Sequence, residues 1–142
     1  MASDRADILA AQKYFLKSIA LDPASAKVYW NLHSTAKDLD VAKSIVELCL
    51  EKDASFEPAV YTLAAINAYE GDRRFFDWLM STDIASAPVL RSIEWILSLP
   101  KLPDLHFNRW SLFDAAIEMS DRTRPFYEYG VWMGESFKYI IR

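Results

Sequence analysis

Two stretches of this chain repeat each other. "VYWNLHSTAKDLD" (28–40) aligns with "VYTLAAINAYEGD" (60–72), placing Val28–Tyr29 on Val60–Tyr61, Ala36 on Ala68 and Asp40 on Asp72, 32 residues apart. The stretches before them repeat too. "AQKYFLKSIALD" (11–22) matches "AKSIVELCLEKD" (42–53) at an offset of 31, with Ala11 on Ala42, Phe15 on Val46 and Ser18 on Cys49. A short unit repeated in this way cannot bury its apolar face alone, so consecutive copies must stack. Small residues at these spacings let helices approach closely, and the aromatic residues fill the gaps between them.

The spacing predicts helices over 4–21, 25–37, 40–52, 57–70 and 73–81. Asp22-Pro23 ends the first, because a residue before proline is pushed out of the helical region. Ser25 is placed to cap the second. "EGD" at 70–72 supplies a turn glycine between paired helices. Only three of the 142 residues are glycine, which suits a helix-rich chain with few tight turns. With 52% hydrophobic and 14% aromatic residues, the chain has material for a sizeable core.

These positions resemble the tetratricopeptide pattern, a helix–turn–helix unit of 34 residues. In that family small, large and small residues line the second helix at spacings of four and three. Ala11, Phe15 and Ser18 match this, as do Ala42, Val46 and Cys49. Tyr29, Leu32 and Ala36 serve the first helix of one unit, and Tyr61, Ala64 and Ala68 that of the next. Pro23 falls where the family often places proline, and Pro58 arrives late. The departures are a shorter spacing and His33, which stands where the family prefers a small residue. The resemblance implies an antiparallel helix-pair array, about five helices over residues 4–82, with a face for a peptide or protein partner.

Farther along, Val89, Ile93, Ile96 and Leu97 recur at helical spacing, predicting a sixth helix over 86–98 with Pro88 in its first turn. "LPKLPD" (99–104) carries two prolines three apart and breaks it. The organisation expected is a repeat region at 1–98, a linker at 99–105 and a second domain from 106 to 142. "FNRWSLFDAAIEMS" (107–120) opens that domain as a helix whose apolar stripe is Trp110, Phe113, Ile117 and Met119. Trp110 is read as core-facing.

The closing stretch, "FYEYGVWMGESFKYIIR" (126–142), has a different character. "PFYEYG" is short, aromatic-rich and led by proline, as a buried strand would be. A glycine-bounded loop follows, and "ESFKYIIR" places Phe137, Ile140 and Ile141 at helical spacing. Strand, loop and helix in that order begin many nucleotide-binding α/β folds, in which glycines let the backbone approach a ligand facing the helix N-terminus. The pattern E-x-G-x-x-x-G-x-S differs from the dinucleotide fingerprint. It resembles motif I of class I S-adenosylmethionine-dependent methyltransferases, and "YEYGVWMGES" in particular is similar to the macrocin O-methyltransferase-like sugar methyltransferases. The resemblance implies that Glu128 lies near the methionine moiety of the cofactor. It also implies that Gly130 and Gly134 allow close backbone approach, that Val131 to Met133 wall the loop, and that Ser136 offers a hydroxyl or caps the helix.

The fold class expected is therefore mainly α, ending in the first strand–loop–helix of a Rossmann-like α/β domain. In such domains an acid about 20 residues past the glycine loop holds the ribose hydroxyls. Counted from Gly130, that position lies beyond Arg142. These residues are thus expected to be the N-terminal part of a longer protein, inactive by themselves. Two functions are compatible with the pattern. One is a helical-repeat region fused to a methyltransferase acting on a sugar or small hydroxylated metabolite. The other is a non-enzymatic scaffold for protein partners. A bacterial glycosyltransferase with helical repeats is a further reading of the second domain.

Other chemistry finds little support. The net charge of −4 comes from well-mixed charges, and no basic patch invites nucleic acid. No apolar stretch approaches the roughly 20 residues that span a bilayer. The N-terminus lacks a secretory apolar core. Cys49 is the only cysteine, which suits a reducing, cytoplasmic setting, and its repeat position makes it a packing residue. His33 and His106 have no metal-spaced partners.

Overall fold

The computed structural model describes residues 2–121 and 123, with the side chains of residues 2–7 and Arg109 left out. Among the described residues the architecture is mainly α. The helices are α1 (Ala2–Leu21), α2 (Ala26–His33), α3 (Leu39–Lys52), α4 (Glu57–Tyr69), α5 (Arg74–Met80), α6 (Pro88–Leu97) and α7 (Arg109–Met119), with a 3-10 turn at Asp83–Ser86. The chain divides between Phe107 and Asn108 into two units.

In the first unit consecutive helices are neighbours. α2 packs between α1 and α3, α3 also meets α4, and α4 packs on α5 and α6. The residues that repeat in sequence sit in equivalent packing. Ala42, Val46 and Cys49 of α3 are wholly buried, and so is Ala64 of α4. Their α1 counterparts Ala11, Phe15 and Ser18 are only half-buried, as suits a helix at the end of a stack. One apolar cluster joins Ala26, Val46, Cys49 and Ala59, with Tyr29, Trp30, Phe56 and Leu63 against it. A second joins Tyr61, Ala64, Ala68, Phe76, Leu79 and Leu90. Burying side chains the size of Phe76, Leu79 and Leu90 contributes about 1.5–3 kcal/mol each.

α2 is shorter than its periodicity predicts, ending at His33 rather than near residue 37. Three side chains in a row turn back on the carbonyls of its last turn. His33 Nδ1 contacts the Trp30 carbonyl, Ser34 Oγ donates to Asn31 at 2.8 Å, and Thr35 Oγ1 donates to Leu32 at 2.7 Å. Such local bonds compete with helix propagation. The chain past α2 tightens into three-residue turns, yet Ala36 stays buried like its counterpart Ala68.

The caps differ from expectation at one point. Ser25 occupies the N-cap of α2, but its side chain makes no capping hydrogen bond. Asp38 does cap α3, accepting from the Val41 N–H at 2.9 Å. α4 ends as the "EGD" stretch suggests. Gly71 takes φ +101°, its N–H donates to Ala68, and the Asp72 N–H reaches back to Asn67 at 2.8 Å. That pair of bonds satisfies two carbonyls left over at the helix end, and the positive φ suits glycine.

In the second unit Asn108 caps α7 by accepting from Ser111 N–H at 3.0 Å. Trp110 and Phe113 meet edge to face at 6.0 Å, and both are half-buried, as is Ile117. Met119 does not join their stripe and is 87% exposed, because two residues past Ile117 is nearly the opposite side of a helix. The predicted strand, glycine loop and final helix of 126–142 lie outside the described residues.

Candidate functional site

α4 is the helix around which the repeat unit is organised, and its residues divide into three faces. Tyr61, Ala64 and Ala68 point toward α5 and α6. Ala59 and Leu63 point toward α2 and α3. Helical periodicity puts Thr62, Ala65, Ile66 and Tyr69 together on the remaining face, and none of them belongs to either apolar cluster. At its end, the Tyr69 hydroxyl donates to the backbone carbonyl of Pro103 at 2.9 Å, 34 residues later in the chain. The connection after α6 therefore returns to touch this face of α4. Leu102 and Leu99 are half-buried within it, while Pro100 and Pro103 are exposed.

Charged groups gather where α3, α4 and α5 meet. Lys43 Nζ donates to Glu70 at 2.5 Å, which raises the Lys43 pKa. Arg74 grips Asp72 through two bonds of 2.9 and 2.7 Å, and this holds the Asp72 carboxyl at about 2. These groups are solvated and mutually paired, so they orient helix ends. Among the described residues no group of three or more His, Cys, Asp or Glu side chains is arranged to hold a metal.

A semi-exposed aromatic cluster lies on α2. The Trp30 ring stacks obliquely on His33 at 4.2 Å and meets Phe56 at 5.9 Å. Burial lowers the His33 pKa, and its contact with the Trp30 carbonyl requires the proton on Nδ1. The imidazole thus serves as a neutral packing group. Cys49 is also structural: its Sγ donates to the Ala26 carbonyl at 3.2 Å, and burial pushes the thiol pKa up. On α6, Arg91, Glu94 and Trp95 line a shallow open surface, with Trp95 65% exposed.

The residues singled out for cofactor binding, Glu128, Gly130, Val131, Gly134 and Ser136, lie outside the described residues. Tyr69 was not among the residues that the sequence marked. Its signal was available only as a tyrosine one turn beyond the Tyr61–Ala64–Ala68 stripe, on a different face. No described helix is long and apolar enough to cross a membrane. Comparison with protein-family models, curated proteins and solved structures finds no match to this chain.

Proposed function

We propose that residues 1–98 are a tetratricopeptide-like array of antiparallel helix pairs that holds a peptide or protein partner. The observation that carries this reading is the equivalence of packing across the repeat. Helices follow one another in the stack as they do in the chain, and the residues 31 or 32 apart take corresponding positions. A stacked array of this kind offers a continuous surface much longer than any one helix, which suits an extended partner. Peptide display against the intact protein tests the reading, with bound peptides mapped by amide chemical shifts. Selected peptides should perturb residues of α2, α4 and α6. Failure of diverse libraries to yield any binder would remove the scaffold role.

The second part of the proposal concerns residues 106–142, as the start of a class I S-adenosylmethionine-dependent methyltransferase domain acting on a sugar or small hydroxylated metabolite. It is supported by the sequence alone, through Glu128, Gly130, Val131, Gly134 and Ser136 in the E-x-G-V-W-x-G-x-S loop. The repeats would then position a substrate or subunit for that domain in the cytoplasm. The reading frame past Arg142 is the test. An acid-ended strand about 20 residues beyond the glycine loop supports the methyltransferase. A stop codon directly after Arg142 leaves the non-enzymatic scaffold.

A further inference from the structure

We propose that residues 98–107 form a strap that the repeat unit binds as its own ligand. The strap lies on the face of α4 that neither apolar cluster takes, is held there by Tyr69, and gives way to a partner peptide of the same chemistry. The identity of the partner rests on the scaffold reading above, whereas the contact itself rests on Tyr69 and Pro103.

The segment has the form of a peptide ligand. From Leu102 to His106 it has no helix or strand. Pro100 and Pro103 fix their own φ and disfavour the helical region for Leu99 and Leu102, so the run Leu99-Pro100-Lys101-Leu102-Pro103 is held extended. Its side chains sort as in a bound peptide, with the leucines half-buried and the prolines and Lys101 outward. An extended chain has no internal partners for its carbonyls, so a donor on the receiving surface recognises it well. Tyr69 is that donor, combining an apolar ring with a hydroxyl 2.9 Å from the Pro103 oxygen. The ligand class that follows is an extended peptide with leucine and proline alternating near one carbonyl that meets Tyr69.

The arrangement is also regulatory in form. A tethered strap has an effective concentration of the order of millimolar, so it screens out weak ligands and yields to stronger ones. The same segment leads directly to Asn108, the cap of α7, so its release would lengthen the tether to the second unit.

Two measurements test the proposal. In the first, Tyr69→Phe is compared with wild type in native-state trypsin cleavage after Lys101, which reads the population of open strap. Loss of one hydrogen bond should speed cleavage about fivefold, and an unchanged rate overturns the strap. In the second, residues 99–105 are replaced by a Gly/Ser linker of equal length, and a blocked peptide spanning Ser98 to Phe107 is titrated in. The peptide should bind the replaced protein, bind wild type on the order of tenfold more weakly or worse, and lose affinity when Tyr69→Phe is added. No binding to the folded replaced protein, equal binding to wild type, or indifference to Tyr69→Phe overturns the proposal. If circular dichroism shows the replaced protein unfolded, the cleavage comparison decides alone. A displayed peptide that binds wild type without speeding cleavage after Lys101 overturns the strap and leaves the scaffold reading standing.

Discussion

The thiol of Cys49 lies 3.2 Å from the carbonyl oxygen of Ala26, tying the middle of α3 to the first turn of α2. Both residues belong to the apolar cluster that holds α2, α3 and α4 together, and Cys49 has no exposed surface. Cys49→Ala should destabilise the unit by about 1–2 kcal/mol through a small cavity. Cys49→Leu should cost about 1–3 kcal/mol through overpacking. Urea midpoints measure both. Because burial disfavours the thiolate, iodoacetamide should label Cys49 slowly in buffer and rapidly in denaturant. Rapid labelling of the folded protein would contradict the packing role.

The two N-caps in the first unit should respond differently to the same substitution. Asp38 accepts from Val41 N–H, so Asp38→Ala should cost about 1 kcal/mol. Ser25 makes no side-chain capping bond, so Ser25→Ala should change stability by less than about 0.5 kcal/mol. Thermal unfolding of the two variants decides. Equal losses would show that the Ser25 hydroxyl caps α2 in solution.

Across α3 and α4, Lys43 and Glu70 form a partly exposed pair, with about 30% of each side chain open to solvent. A double-mutant cycle of Lys43→Ala and Glu70→Ala should return a coupling of about 0.2–1 kcal/mol, shrinking at high salt. A coupling unaffected by salt would argue against a solvated ion pair.

The repeat was legible because small residues at a fixed offset record where helices touch. Ala42, Cys49, Ala64 and Ala68 are buried where the pattern says they must be. The end of α2 was not legible, because periodicity reports which face is apolar and says nothing about side chains that compete for carbonyls. Leu32 and Ala36 keep a helical spacing across the residues where Ser34 and Thr35 stop the helix. The 3-10 turn at Asp83–Ser86 has no amphipathic signature either, and was not foreseen. The face of α4 bearing Tyr69 went unread for another reason. Its contact is made by a backbone carbonyl far along the chain, and a carbonyl leaves no trace in residue identity.

Stability should depend on pH in two acid windows. Burial holds the folded pKa of His33 below its ordinary 6.5, so the unfolded chain binds the proton more readily. The His33 contribution is present above about pH 6.5 and is lost as pH falls toward its folded pKa. The Asp72 carboxyl, held by Arg74 at about 2 against an ordinary 3.8, contributes above 3.8 and loses that contribution as pH falls toward 2. Urea titrations from pH 7.5 downward should therefore show an early loss that His33→Gln abolishes and a later one that Asp72→Asn reduces. An unaltered early loss in His33→Gln would assign it to another group.

Gly71 offers a separation of backbone strain from crowding. A Cβ built on it meets nothing within 4 Å, so substitution there brings no clash. Its φ of +101° nevertheless lies in the region that side-chain-bearing residues avoid. Gly71→Ala should then cost roughly 1–2 kcal/mol through conformation alone. Gly71→Asn should cost less, because asparagine tolerates left-handed backbone better than alanine does. The turn closes α4 through the Asp72 N–H bond to Asn67 and places Asp72 for its grip on Arg74. Losses should therefore appear as fraying at the α4–α5 junction before the rest of the unit melts. Residue-resolved hydrogen exchange reads this directly: faster exchange at Glu70 and Asp72, with amides such as Val46 and Cys49 unchanged, is the expected pattern. Equal costs for alanine and asparagine would mean that the turn relaxes away from positive φ when the glycine is replaced.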